Sequence, residues 1–210
     1  FDGVSLWRPW NIDPSWKTQS GQAWFHIDQH PISKPGKQCI QGLINLLPTS
    51  KEIGGNVVIP KSHNFFKDIP EEYKERVERL PLDIDHFRFP HDDPKLSSEP
   101  AVMAHMEPGD MLLWDSRTIH CSSSGSSLPE GTNDLIRAAS LICMMPKELS
   151  SKEILEKRIH AAENLVSTTN WTNDFRNADE FPIVLEAENR DQYKWPKKPS
   201  LSKYQKELIA

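Results

Sequence analysis

Short apolar or alternating segments, separated by Pro, Gly, Asn and Ser, recur along most of the first 145 residues of the chain. Alternation of apolar and polar residues is typical of half-buried strands, and the residues between the segments mark turns. The pattern predicts strands at residues 4–7, 23–27, 39–47, 56–59, 101–106, 110–114 and 136–144.

The predicted strands are short, and tight turns such as the one at residues 107–110 separate them. This spacing favours antiparallel sheets, and no regular alternation of strands with helices supports a parallel α/β sheet. We therefore expect a mainly β fold, a double-stranded β-helix (jelly roll) with a few flanking helices.

Two segments have helical patterns. Residues 71–80 are mostly charged, and residues 151–165 repeat apolar positions near the helical period, with Ser150 or Ser151 as the N-terminal cap. Residues 81–100 lack any period, so we expect a long loop over the mouth of the barrel.

The remaining segments complete a single predicted domain, residues 1–210. Its β-core covers about residues 1–145, and residues 146–210 form a helical and irregular C-terminal part. We expect the Ser-rich stretch 122–127 to be a flexible connection. The Lys-rich tail 194–206 is expected to be a solvated terminus without a function.

Charge and composition exclude several classes of partner. There are 25 Lys and Arg against 30 Asp and Glu, so the net charge of −5 offers phosphate backbones no general attraction, and we expect no nucleic-acid partner. No apolar run is long enough to span a bilayer, so we expect no membrane association. The oligomeric state stays open.

Three cysteines, an odd number without C-x-x-C spacing, argue against a disulfide framework or a zinc knuckle. A reducing compartment follows, and we expect the cytoplasm. The chain does not begin with Met, so a targeting signal in any preceding segment would change this expectation.

The first candidate site is His26-Ile27-Asp28, at the end of a predicted strand. Residues i and i+2 of a strand project from the same face, so an imidazole and a carboxylate would lie side by side. One more imidazole would complete a triad of two histidines and one carboxylate, which leaves positions open on non-haem Fe(II). His120, after the turn and apolar strand of residues 108–119, is the predicted third ligand.

Arg137 is a single cation in the otherwise apolar segment 136–144. A buried charge requires an anionic partner, and the planar guanidinium pairs bidentately with carboxylates. Arg137 could therefore hold the distal carboxylate of a dicarboxylic co-substrate whose keto-acid end chelates iron.

Together these residues resemble the phytanoyl-CoA dioxygenase family, whose pattern is a His-x-Asp pair, a distal His in a Gly-Asp strand and an Arg in the next strand. The run 54–63, GGNVVIPKSH, also resembles the Gly-rich strand and Pro-Gly-Ser-His motif of the family, with Lys61 in place of Gly. The resemblance covers about residues 1–145.

The resemblance implies a hydroxylase that uses Fe(II), 2-oxoglutarate and O2 on a small organic molecule or acyl conjugate. It also implies that Ser122, two residues beyond His120, helps to bind 2-oxoglutarate. Halogenating relatives lack the carboxylate ligand, so Asp28 favours hydroxylation. Two features depart from the family: a long interval between His120 and Arg137, and no substantial region before the His-x-Asp pair.

Two rival functions remain open. The chain could be a non-catalytic jelly-roll binding protein, or a cupin-like metalloenzyme that does not use 2-oxoglutarate. Binding of 2-oxoglutarate to the metal-loaded protein separates these from the oxygenase.

Other residues are weaker candidates for the site. His105 and Glu107 form a second His-x-carboxylate pair, but no distal histidine matches it. The other histidines are expected to be structural or exposed, and tryptophans at strand positions are more often core than substrate platforms. These residues are His30, His63, His86, His91 and His160, and Trp7, Trp10, Trp16, Trp24 and Trp114.

Overall fold

The structure is a computed structural model that describes residues 3–17, 24–82, 84–166, 168, 171–175 and 197–209. By its internal contacts the chain forms two compact units, one of residues 4–140 and one of residues 1–3 and 141–210. The first unit contains all the predicted site residues. The assignment of the whole chain to a single oxygenase domain stays a prediction.

Two antiparallel sheets form the body of the fold, which is a mainly β jelly roll, as predicted. The four-stranded sheet has the order β1-β9-β3-β7, and the five-stranded sheet has the order β5-β2-β8-β4-β6. The strands are β1 (Gly3–Trp7), β2 (His26–Ile27), β3 (Ile40–Asn45), β4 (Gly54–Val58), β5 (Phe87–Arg88), β6 (Val102–Met103), β7 (Met111–Asp115), β8 (His120–Ser124) and β9 (Arg137–Met144).

Four α-helices accompany the strands within the described part of the chain: α1 (Ile69–Glu72), α2 (Lys74–Glu78), α3 (Lys152–Glu163) and α4 (Lys203–Ile209). Ser151 caps α3, because its side chain accepts a hydrogen bond from the backbone N–H of Ile154. No helix of the described residues combines the length and the apolar character that crossing a bilayer requires.

The main apolar cluster lies on one face of the five-stranded sheet. Ile27 in β2, with Ile59 and Ile119 beside β4 and β8, is almost fully buried against Ile69 of α1 and Val77 of α2. Side chains alternate along a strand, so burying Ile27 on this face turns His26 to the other face. The hydrophobic core and the predicted site are therefore on opposite faces of one sheet.

Two expectations about loops were wrong. The Ser-rich stretch begins inside β8, which pairs with β4 along its full length. Backbone pairing needs no apolar side chains, so composition alone could not reveal this strand. The expected loop at 81–100 contains β5, and its Phe87 and Phe89 are buried in the core.

The helical predictions were partly correct. Helix α3 lies within the predicted 151–165, whereas the predicted helix at 71–80 is two short helices, the first of which begins at Ile69. The last part of the chain, expected to be mostly irregular, contains α4. Much of residues 166–210 lies outside the described residues.

Lys61, the residue that departs from the family motif, has φ 61° and lies in the left-handed region. A side chain there clashes with the following carbonyl, whereas glycine adopts this conformation without the clash. The departure therefore carries a local backbone cost at the start of the 3-10 helix Ser62–Asp68.

We expect Lys61→Gly to stabilise the protein by about 0.5–1 kcal/mol in urea unfolding, because it removes this cost. The same change at Lys67, an exposed residue without a positive φ in that 3-10 helix, is the matched control and should destabilise. Equal effects of the two substitutions would contradict the explanation.

Candidate metal centre

Three side chains predicted from the sequence converge between the two sheets. His26 and His120 are cross-strand partners in β2 and β8, and Asp28 follows β2 directly, where its backbone N–H donates to the Ser116 carbonyl at 3.2 Å. One ligand atom from each of His26, Asp28 and His120 lies within 4.8 Å of the others. The Asp28 carboxylate oxygens lie 3.4 Å from the Nε2 atoms of both histidines.

Backbone carbonyls orient both imidazoles. Nδ1 of His26 is 3.0 Å from the Trp24 carbonyl oxygen, and Nδ1 of His120 is 2.9 Å from that of Thr118. A carbonyl oxygen only accepts, so Nδ1 carries the proton of each neutral ring and Nε2 presents a lone pair to Asp28. A hydrogen bond from the second ring nitrogen to a backbone carbonyl is typical of metal-binding histidines.

The charge states of the cluster also suit a cation. Burial, and next the neighbouring His120, lower the pKa of His26 to about 4, so its ring is neutral near pH 7. Burial alone would raise the pKa of the Asp28 carboxyl, but its contacts with His120, His26 and Gln41 outweigh this and hold the pKa below its usual range. Asp28 is therefore an anion.

The Nε2 atoms of both histidines and the carboxylate of Asp28 thus face one another, and each of the three groups offers a possible ligand atom. Ligands about 2 Å from one ion and at right angles to each other lie about 3 Å apart, close to the spacing seen here. The three residues therefore fit a divalent cation held on one side.

Gln41 in β3 fixes the orientation of the carboxylate. Its Nε2 donates to Oδ2 of Asp28 at 2.9 Å, and its Oε1 accepts from Nε1 of Trp114 in β7 at 3.1 Å. Because the indole N–H only donates, it settles which end of the amide faces Asp28. Gln41 was not among the residues predicted from the sequence, although a glutamine inside the apolar strand CIQGLIN was a visible signal.

Two indole rings frame the imidazoles. Trp24 stacks on His26, with ring centroids 4.3 Å apart and planes 7° from parallel. The ring centroids of Trp114 and His120 are 5.2 Å apart, and the two ring planes are tilted by 53°. These contacts limit rotation of both ligand rings.

Arg137 lies at the start of β9, and its side chain reaches the other sheet. It is 3% exposed, and Nη1 donates to Oγ of Ser122 at 2.9 Å, while the guanidinium carbon lies 4.0 Å from the ring centroid of Trp7. Among the described residues the guanidinium has neither a carboxylate partner nor any other hydrogen bond, and Nε is buried without a partner.

Burial lowers the pKa of Arg137 to about 10, so the group stays charged at neutral pH. A buried cation without an anion is costly, and a bound carboxylate would satisfy it. Ser122 lies two residues after His120 on β8, so both side chains project from the same face. Arg137 and Ser122 therefore lie next to the three residues of the candidate metal centre.

The other histidines lie apart from this cluster. His105 and Glu107 are exposed, and they belong to no group of potential ligands in the described ranges. His30 is fully buried, and its Nδ1 accepts hydrogen bonds from the backbone N–H groups of Ile32 and Ser33. His30 therefore organises the loop after Asp28.

Of the tryptophans, Trp7, Trp24 and Trp114 contact residues of the site. Trp10 and Trp16 instead lie beside Lys17 and Arg8, respectively, at cation–π distances. The partly buried or exposed positions of the remaining histidines agree with the roles predicted for them: His63, His86, His91 and His160.

The fold is thus a mainly β jelly roll whose interior carries a candidate site of two histidines and one carboxylate. Residues 12–128, more than half of the chain, match the family model described as Phytanoyl-CoA dioxygenase (PhyH). The chain belongs to the phytanoyl-CoA dioxygenase family, as the sequence motifs predicted.

A curated relative, the Ava biosynthesis cluster protein O of Aspergillus versicolor, is 30% identical over 177 residues. The alignment covers 80% of this chain and 53% of the relative, so the chain spans about half the length of that protein.

Solved structures with a similar fold include AviO1 from Streptomyces viridochromogenes Tue57, with 16% identity, a TM-score of 0.40, and coverage of 69% of this chain and 48% of that one. EctD from S. alaskensis in its apoform has 14% identity and a TM-score of 0.37, with coverage of 68% and 45%. At these scores the likeness supports no argument about function.

We expect Gln41→Leu to weaken Mn(II) binding by about 10–100-fold in equilibrium dialysis, because the Asp28 carboxylate loses the donor that orients it. Gln38→Leu is the matched control, since Gln38 binds only the Pro35 carbonyl in the described structure. Unchanged Mn(II) affinity in folded Gln41→Leu protein would contradict this role.

Proposed function

We propose that this chain carries the catalytic core of an Fe(II)- and 2-oxoglutarate-dependent oxygenase, which hydroxylates a small organic substrate or acyl conjugate. The supporting observation is the convergence of His26, Asp28 and His120, with both Nδ1 atoms anchored and three acceptor atoms within 4.8 Å. Membership of the phytanoyl-CoA dioxygenase family favours this chemistry over other uses of such a site.

In the proposed site, His26, Asp28 and His120 hold iron through two imidazole nitrogens and one carboxylate oxygen. With iron bound by these three residues, positions on the metal would stay open for 2-oxoglutarate and O2. Asp28 contributes the negative charge, and Gln41 keeps its carboxylate turned toward the two imidazoles.

When bound, Fe(II) with 2-oxoglutarate and O2 supplies the oxidising power for hydroxylation, and 2-oxoglutarate is converted to succinate and CO2. The side chains of the protein position the co-substrate. Arg137 and Ser122 hold the distal carboxylate of 2-oxoglutarate, and this leaves the keto-acid end free to reach the metal. The stacked Trp7 ring keeps the guanidinium in place.

Hydroxylation is the outcome proposed, because Asp28 fills the ligand position that halogenating relatives leave open. A cupin-like metalloenzyme would bind metal but would give Arg137 no co-substrate, and a binding protein would need neither group. Anaerobic titration with Fe(II) and then 2-oxoglutarate tests all three functions. The oxygenase should show one weak visible charge-transfer band at a stoichiometry near one.

Replacing Asp28 with Ala should abolish this band and lower Fe(II) affinity by about tenfold or more, because two neutral imidazoles compensate a divalent charge poorly. The fold should survive, since Asp28 lies outside the apolar cluster. The measurements are bound iron by elemental analysis and a thermal melt. Asp92→Ala, at an exposed aspartate, is the control, and full iron content in folded Asp28→Ala protein would refute the triad.

The Arg137→Ala substitution should raise the Kd of 2-oxoglutarate by about 10–100-fold, the range for losing hydrogen bonds to a charged group. Fe(II) affinity should change much less, because Arg137 contacts none of the three ligands in the described structure. Calorimetry on the metal-loaded protein measures the Kd of 2-oxoglutarate, and equilibrium dialysis measures the affinity for Fe(II). Arg79→Ala, at an exposed arginine, controls for the lost charge, and equal losses of both affinities would refute the assignment.

A further inference from the structure

Asn56, which has no part in the sequence motifs of the site, lies beside Ser122. The two residues are direct cross-strand partners in β4 and β8, and Val58 pairs with His120 in the same register. Partners in an antiparallel ladder project from the same face, with Cβ atoms about 4.5–5.5 Å apart. The Asn56 side chain therefore points into the interior that contains His120, Ser122 and Arg137.

Asn56 is buried but makes no side-chain hydrogen bond to any residue that the structure describes. It is 5% exposed, and its amide is not among the polar atoms sealed from solvent, so the amide keeps some access to solvent. Asn45, another buried asparagine, instead donates to the Thr49 hydroxyl at 3.4 Å. Because no described protein group bonds the Asn56 amide, a ligand that enters this part of the interior can complete its hydrogen bonding.

The neighbours of Asn56 indicate the charge of that ligand. Arg137 carries donors only, and one of them is used by Ser122. A carboxylate offers about four lone-pair sites, more than Arg137 and Ser122 fill. The Asn56 amide can turn its NH2 group to one of the remaining sites.

We propose that Asn56 is a third donor to the distal carboxylate of the co-substrate, and that it helps the pocket to select dicarboxylic over monocarboxylic keto acids. This inference rests on the proposed function. It assigns a specificity-determining role to a residue outside the Arg137 and Ser122 pair.

The test compares two probes on Mn(II)-loaded protein by calorimetry. 2-Oxoglutarate has the distal carboxylate, and 2-oxobutyrate has the same keto-acid end without it. Asn56→Leu should raise the Kd of 2-oxoglutarate by about tenfold or more and leave that of 2-oxobutyrate within about twofold. Mn(II) affinity should be unchanged, and Asn64→Leu, the same change at an exposed asparagine, should alter none of these values.

Asn56→Asp is a second variant that preserves the volume of the side chain. A carboxylate at this position would pair with Arg137 and repel the ligand, so 2-oxoglutarate should bind more weakly than to Asn56→Leu. If both probes weaken equally, or if Asn56→Asp binds 2-oxoglutarate as the unsubstituted protein does, the inference is wrong. If the unsubstituted protein itself fails to bind 2-oxoglutarate, the proposed function fails first.

Discussion

The arrangement of the interior depends on one constraint: the Nε2 atoms of two histidines and the carboxylate of Asp28 face one another at close range. The carbonyl oxygens of Trp24 and Thr118 accept hydrogen bonds from the Nδ1 atoms of the two rings. The Nε2 atoms of His26 and His120 therefore turn toward Asp28. A divalent ion would satisfy all three groups at once. The surrounding hydrogen bonds therefore suit metal binding better than packing.

The five-stranded sheet has the hydrophobic core on one face and the candidate site on the other. Its outer face carries Ile27 and the apolar cluster, which includes one residue from each of α1 and α2. Its inner face carries His26 and His120. Because strand side chains alternate, each short strand serves both purposes with neighbouring residues. A substitution on the inner face therefore removes little of the core. Its effect on metal or ligand binding can be measured on protein that remains folded.

The interior also has an incomplete charge balance. A divalent ion bound beside Asp28 would keep a positive charge, and Arg137 adds another without a carboxylate partner in the described structure. A dicarboxylate that spans both positions would neutralise them together. The chemistry expected from the family and the unsatisfied groups of this chain thus lead to the same type of co-substrate, and the unpartnered Asn56 extends that agreement.

The sequence by itself determined the mainly β class, seven of the nine strands to within a few residues, and the three side chains that converge at the candidate centre. Alternation along strands and the His-x-Asp spacing are local properties, so they are readable without coordinates. Strand β8 was not readable, since its serines carry no apolar pattern and only pairing with β4 makes it a strand. Strand β5, with the buried Phe87, and the nearby Phe89 were missed because the core that covers these phenylalanines comes from distant residues.

Only the tertiary structure decided which polar residues meet the site. Gln41 in the four-stranded sheet reaches Asp28 beside the five-stranded sheet, and Asn56 faces Ser122 because β4 pairs with β8. The pairing register selects such neighbours, and a shift of one residue would turn each side chain to the opposite face. Residue types and local spacing were therefore enough to nominate the ligands, whereas their orientation and their partners required the fold.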